Sequence, residues 1–132
     1  MNIFFDGCSS PHKHNLAGYC VYGDFGLLEW ATLDCHTTNN MAELIALKHA
    51  LDYTRRIFNG SLLTILGDSR LAISGVAGWI HLKNKPLKEM VELIQRDYKK
   101  ELTNDKIRLK WIPREYNLAG KWIYEHIRGN NV

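Results

Sequence analysis

Three acidic residues stand where a carboxylate can do chemistry. Asp6 closes the apolar run "NIFFDG", Glu43 lies early in the helical stretch "NNMAELIALKHAL", and Asp68 follows the apolar run "SLLTILGD". Glu43 shares its helical angle with Leu47, Ala50 and Thr54, so its carboxylate is aimed at the core. An inward carboxylate needs a partner. Several that converge repel one another and hold their protons unless hard cations neutralise them, and an all-oxygen donor set suits Mg²⁺ or Mn²⁺. Each residue also has a plainer reading. Asn40 and Glu43 fit a helix-capping arrangement, Asp68 can cap a following helix, and Asp6-Gly7 can be a turn. The joint occurrence of all three at element ends favours chemistry over coincidence.

The elements that must carry these residues follow from periodicity. "NIFFDG", "GYCVYGD" and "LLEWATLD" are branched and aromatic runs separated by turn residues, which predicts three strands in an antiparallel meander. From Met41 to about Arg55 apolar and small residues recur at helical spacing. "SLLTILGD" reads as a buried strand and "SRLAISGVAGW" as a short helix leaving its end, with Asp68 at the turn. Pro86 opens an amphipathic helix whose stripe of Leu87, Met90, Val91, Ile94 and Tyr98 runs to about Leu102. "KIRLKWIP" alternates, with Ile107, Leu109 and Trp111 on one face and Lys106, Arg108 and Lys110 on the other, until Pro113 stops it. A last helix covers about Asn117 to Ile127. The first and fourth strands can be neighbours in one mixed sheet, which would set Asp6 beside Asp68.

At 132 residues and 45% hydrophobic the chain suits a single domain, 1–132. No run approaches a membrane span, and the N-terminal stretch has no basic region followed by an apolar segment, so a cytoplasmic protein is expected. Cys8, Cys20 and Cys35 are an odd count without Cys-x-x-Cys spacing, which predicts reduced thiols. A net charge of +3 is compatible with a polyanionic partner.

The chain resembles the type 1 ribonuclease H family, through "FFDGCSS", "TTNNMAELIALKHAL", "LTILGDSRLAI" and "WIPREYN" in that order. The resemblance implies an α/β fold, a five-stranded mixed sheet of three antiparallel strands and then parallel crossovers, flanked by helices. It implies metal-dependent cleavage of the RNA strand of an RNA/DNA hybrid to 5′-phosphate and 3′-hydroxyl ends. Asp6, Glu43 and Asp68 correspond to three of the family's four metal-binding carboxylates, which hold two Mg²⁺ (or Mn²⁺) ions. Gly7, Cys8, Asn39 and Asn40 resemble its minor-groove contacts, Thr38 resembles a contact to the DNA-strand phosphate, and Ser69 and Arg70 follow the catalytic aspartate toward the backbone. His12 and His14 fall in the first hairpin loop and read as solvated. A monomer that binds a hybrid is the expected working form.

Two features depart from the family pattern. The basic protrusion many members insert is reduced here to Lys83, Lys85 and Lys88, which predicts weaker hybrid binding. The fourth carboxylate is also missing. Aligned from Asn117 its place falls on Lys121, and aligned from Ala119 it falls on Gly120. Three explanations stand: Glu125, one helical turn on, reaches the second metal; Lys121 or Asn117 replaces the role; or the site binds metal poorly and the protein is a non-catalytic hybrid or double-stranded RNA binding module. Glu125 has a plain reading too, as a surface partner of Lys121. Arg114 and Glu115 occupy the loop where the family places a histidine. A nuclease of the same broad group acting on DNA junctions is the remaining rival.

Overall fold

A computed structural model describes residues 1–10 and 16–128; His12 and His14 lie outside the described residues. Strands β1 (Asn2–Ser10), β2 (Leu16–Gly23) and β3 (Gly26–Leu33) precede helix α1 (Asn39–Ile57). Then come β4 (Leu63–Gly67), α2 (Arg70–Val76), α3 (Lys85–Asp97), α4 (Lys99–Thr103), β5 (Ile107–Trp111), a 3-10 turn (Arg114–Tyr116) and α5 (Leu118–Ile123), which runs into a wider π-type turn (Tyr124–Arg128). The sheet order is β3-β2-β1-β4-β5. The meander is antiparallel, and β4 and β5 join it in parallel through helical crossovers. This is the mixed sheet expected from the sequence.

Alternation along β1 divides the interior. Ile3 and Phe5 face one side and pack with Leu44, Leu47 and Leu51 of α1 and Ile65 of β4. Phe4 and Cys8 face the other side, with Leu66, Ala119, Ile123 and Ile127. Asp6 shares the parity of Phe4 and Cys8. β5 keeps its expected two faces, with Ile107 buried, Leu109 and Trp111 half-buried, and Arg108 and Lys110 exposed. Among the described residues no helix is long and apolar enough to cross a membrane.

Three local expectations need correction. Asp6 does not end its strand, because β1 continues to Ser10 against β2. What ends near Asp6 is the pairing with β4, whose last register is Phe4 with Leu66. Continued by two residues, that register sets Asp6 opposite Asp68, as expected of neighbouring first and fourth strands. Secondly, Thr38 caps α1, accepting from the Met41 amide at 3.2 Å, and Asn40 lies inside the first turn. Glu43 is thereby free of the capping role. Thirdly, the long amphipathic helix breaks at Tyr98, where the chain leaves helical geometry. The buried Tyr98 hydroxyl donates to Asp52 of α1, and the Arg55 guanidinium lies 4.5 Å from its ring centre, so the break locks α3 and α4 onto α1.

Candidate active site

Gly7 decides how the site is assembled. A Cβ there would lie 2.2 Å from both the carbonyl carbon and oxygen of Ala42, so α1 can cross β1 this closely only over a glycine. The close crossing sets Glu43 directly above the strand, where the Gly7 amide donates to its Oε1 at 2.8 Å. Gly67 serves β4 in the same way, since a Cβ there would lie 2.4 Å from the Phe5 ring. Asp68 leaves the next peptide. Ser69 is buried and caps α2 through the Ala72 amide at 3.1 Å, which removes the cap role from Asp68.

The result is a cluster: carboxylate oxygens of Asp6, Glu43 and Asp68 lie within 4.8 Å of one another. Burial pushes the Asp6 carboxyl up from its ordinary range, the Asp68 charge adds to this, and the Arg114 charge opposes it. Glu43 is pushed up by burial first and then by the charge of Asp6, against the lowering influence of the Gly7 amide. Opposite Asp6 on β2, the Cys20 thiol is pushed up to about 12 by burial and by Asp6, so it is an inert neighbour. Crowded carboxyls that retain protons this firmly, with only oxygen donors offered, suit a hard divalent cation that would replace those protons.

A cleft opens over the cluster, and its far wall comes from the 3-10 turn, α5 and the π-type turn that follows it: Arg114, Glu115, Gly120, Lys121, Tyr124 and Glu125. Asn117 fixes this wall. Fully buried, it donates from Nδ2 to the Phe5 carbonyl at 3.0 Å while its Oδ1 accepts from the Ala119 and Gly120 amides at 3.1 and 3.4 Å. One side chain therefore caps α5 and ties it to β1 beside Asp6. Position 120 faces Asp6, since a Cβ on Gly120 would lie 3.3 Å from Asp6 Oδ2, and Lys121 lines the same cleft. Glu125 is exposed and lines the cleft, but among the described residues neither it nor Glu115 joins the three-carboxylate group.

The candidate substrate residues border this cleft unevenly. Asn39 lines it and accepts from the Ser9 amide at 2.9 Å, which stitches the start of α1 to β1. Thr38 and Asn40 flank it, exposed, the former occupied as the cap. Gly7 lines the cleft beneath α1, whereas the Cys8 side chain is buried in the second core cluster. Arg70 is exposed, with its guanidinium 3.7 Å from the centre of the Trp111 ring. Sequence reasoning passed over Trp111 as a core residue and left Arg114 without a role. The signal for Asn117 was present as a cap preceding a helix, but its reach to the Phe5 carbonyl spans 112 residues and no local pattern carries that.

Comparison with known proteins agrees with this architecture. The chain is 42% identical over 48 residues to a ribonuclease H of Roseobacter denitrificans, a match covering 36% of this chain and 30% of that protein. Among solved structures it superposes on LC11-RNase H1, isolated from compost by a metagenomic approach, with a TM-score of 0.72 and 24% identity over 99% of this chain and 97% of that one. It also superposes on RNase H1 of the halophilic archaeon Halobacterium salinarum NRC-1, with a TM-score of 0.67 and 23% identity over 92% and 91% of the two chains. These likenesses share the fold. A match to the RNase H family runs over residues 1–131, and the chain belongs to that family.

Proposed function

We propose that the protein is a metal-dependent endoribonuclease that cleaves the RNA strand of RNA/DNA hybrids, leaving 5′-phosphate and 3′-hydroxyl ends. The observation that carries this reading is the convergence of Asp6, Glu43 and Asp68 within 4.8 Å in the cleft of a ribonuclease H fold. The structural neighbour LC11-RNase H1 has been solved in complex with an RNA/DNA hybrid, which supports the choice of substrate. Asp6, Glu43 and Asp68 would hold two Mg²⁺ (or Mn²⁺) ions, with Glu125 contributing from the far wall. Such a pair of ions supplies a nucleophilic water at neutral pH and offsets charge at the departing 3′ oxygen.

The chain's own groups prepare the site. The Gly7 amide orients Glu43, and the buried Asn117 holds the far wall at a fixed height over Asp6. Asn39 and Asn40, at the start of α1, would meet the shallow minor groove, where a 2′-hydroxyl distinguishes RNA from DNA, and Thr38 would meet a phosphate of the DNA strand. Gly7 and Cys8 would approach the same groove through their backbone, and Ser69 and Arg70 would touch the nucleic-acid backbone. The protein would act as a monomer in the cytoplasm, with reduced thiols.

The test is incubation with labelled hybrid, duplex RNA and duplex DNA, with Mg²⁺ or Mn²⁺, beside Asp68→Asn. Cleavage confined to the RNA strand of the hybrid is expected, falling in the variant on the order of a hundredfold to a thousandfold. Binding without cleavage at any metal concentration would instead make the protein a hybrid-binding module, and cleavage of duplex DNA would move it to another branch of nucleases.

A further inference from the structure

Asp68 sits on a single turn between β4 and α2, and two contacts, from the last residue of β5 and the residue after it, bracket it. The Ile112 amide donates to the Gly67 carbonyl at 2.9 Å, the last backbone bond of that side of the sheet. One peptide further on, the Trp111 indole Nε1–H donates to the Asp68 carbonyl at 3.1 Å. The same indole offers its face to Arg70, whose guanidinium lies 3.7 Å from the ring centre. Trp111 is half-buried and is not among the residues lining the carboxylate cleft, so it touches no reacting atom.

We propose that Trp111 is a positioning residue for hybrid cleavage with two separable functions: its indole N–H fixes the Asp68 peptide, and its ring face holds the Arg70 guanidinium for contact with the nucleic-acid backbone. The inference rests on the ribonuclease H reading above. The first function follows from the tolerance of such chemistry. A carboxylate displaced by about 1 Å can cost a hundredfold in rate, and the Asp68 carbonyl, lying past the end of the ladder, has this side-chain donor to hold it. The second follows from the ring contact. A guanidinium held over an indole face by cation–π attraction is restrained near the ring and loses less freedom when its N–H groups bind phosphate oxygens. Sequence alone conceals both roles, because Trp111 reads as one more apolar residue on the buried face of an alternating strand.

The two functions come apart in a small set of variants. Trp111→Phe keeps an aromatic face and removes the donor, Trp111→Leu removes both, and Arg70→Ala removes only the guanidinium. Trp111→Phe is expected to lower kcat about fivefold, as for loss of one buried hydrogen bond, and to weaken Mn²⁺ binding measured calorimetrically without nucleic acid, with a smaller change in KM. Arg70→Ala shifts mainly KM for hybrid, and Trp111→Leu combines both effects. Thermal unfolding of each variant measures the purely structural share. Wild-type kcat and Mn²⁺ binding in Trp111→Phe, or a loss of stability with unchanged kinetic constants, would overturn the proposal. If the wild-type protein binds hybrid but does not cleave it, the hydrolase reading fails. Mn²⁺ titration and hybrid anisotropy on the same variants still decide the role of Trp111.

Discussion

The two walls of the cleft are built on opposite principles. The inner wall, from β1, β4 and α1, carries Asp6, Glu43 and Asp68 on buried backbone, and the helix presses so close to Gly7 that no side chain fits between them. The outer wall, from the 3-10 turn, α5 and the π-type turn, presents exposed Arg114, Glu115, Lys121, Tyr124 and Glu125 and is tied back through Asn117 and the second core cluster. The chain keeps its carboxylates where the backbone cannot move. On the outer wall Lys121 is exposed and Gly120 is half-buried, with room for a Cβ 3.3 Å from Asp6 Oδ2. The carboxylates are anchored to crossing elements, and the outer wall presents its charged side chains to solvent.

The same substitution made on each wall should break this contrast most sharply. Gly7→Ala would drive a methyl into the Ala42 carbonyl, which belongs to rigid helical backbone, so α1 must move. A loss of about 3 kcal/mol or more is expected, together with loss of hybrid cleavage in whatever protein remains folded. Gly120→Ala places its methyl 3.3 Å from a carboxylate oxygen, which is the end of a side chain, and replaces glycine inside a helix. That change should be neutral or stabilising by up to about 1 kcal/mol. Chemical denaturation of the two variants side by side measures the difference; equal losses would mean that the walls are equally rigid.

Acidity sharpens the comparison from another side. Asp6 and Glu43 hold protons more tightly in the folded protein than in the unfolded chain, through burial first and then through the charge of Asp68 on Asp6 and of Asp6 on Glu43. Their contribution to stability is therefore fully present below the ordinary values of 3.8 and 4.5, and it is lost as pH rises from there through the raised values. Metal-free protein should melt at least about 4 °C lower near pH 8 than near pH 5, and Mg²⁺ at the higher pH should restore the difference by occupying the site. Glu43→Gln removes one of the two groups and should flatten the pH dependence. A variant on the exposed wall, such as Glu115→Gln, should leave it intact.

The inner wall was legible in the sequence for a physical reason. Asp6, Glu43 and Asp68 sit on strongly periodic elements, and periodicity states which face a side chain occupies. The outer wall was not, because its key relations are long-range. Asn117 bonds to Phe5, 112 residues away, and whether Gly120 or Lys121 meets Asp6 depends on the angle at which α5 crosses the sheet. The misplaced cap was a close contest among adjacent residues of "TTNN", in which both Thr38 and Asn40 are good caps and the crossing of α1 over Gly7 selects the first. The break at Tyr98 was hidden since the apolar stripe continues through it, and the polar contacts to Asp52 and Arg55 come from another helix.

Glu125 is where the two walls would cooperate if the outer one takes part in binding metal. Its carboxylate stands in the cleft but outside the cluster, on an exposed helical turn, so water weakens its coupling to a cation more than that of the buried Glu43 and the half-buried Asp6 and Asp68. The expected effect of Glu125→Ala is accordingly the smallest: the Mg²⁺ concentration for half-maximal cleavage rises about threefold, and the rate at saturating metal changes by less than about twofold. Gly120→Asp approaches the same question from the opposite direction, by placing a carboxylate beside Asp6, and should lower the Mg²⁺ requirement. If it does so while Glu125→Ala leaves the titration unchanged, the position facing Asp6 is where a fourth ligand counts, and Glu125 is a surface partner of Lys121. If Glu125→Ala raises the requirement and Gly120→Asp then cancels that rise, the glutamate has taken over from one helical turn away the task that Gly120 cannot perform.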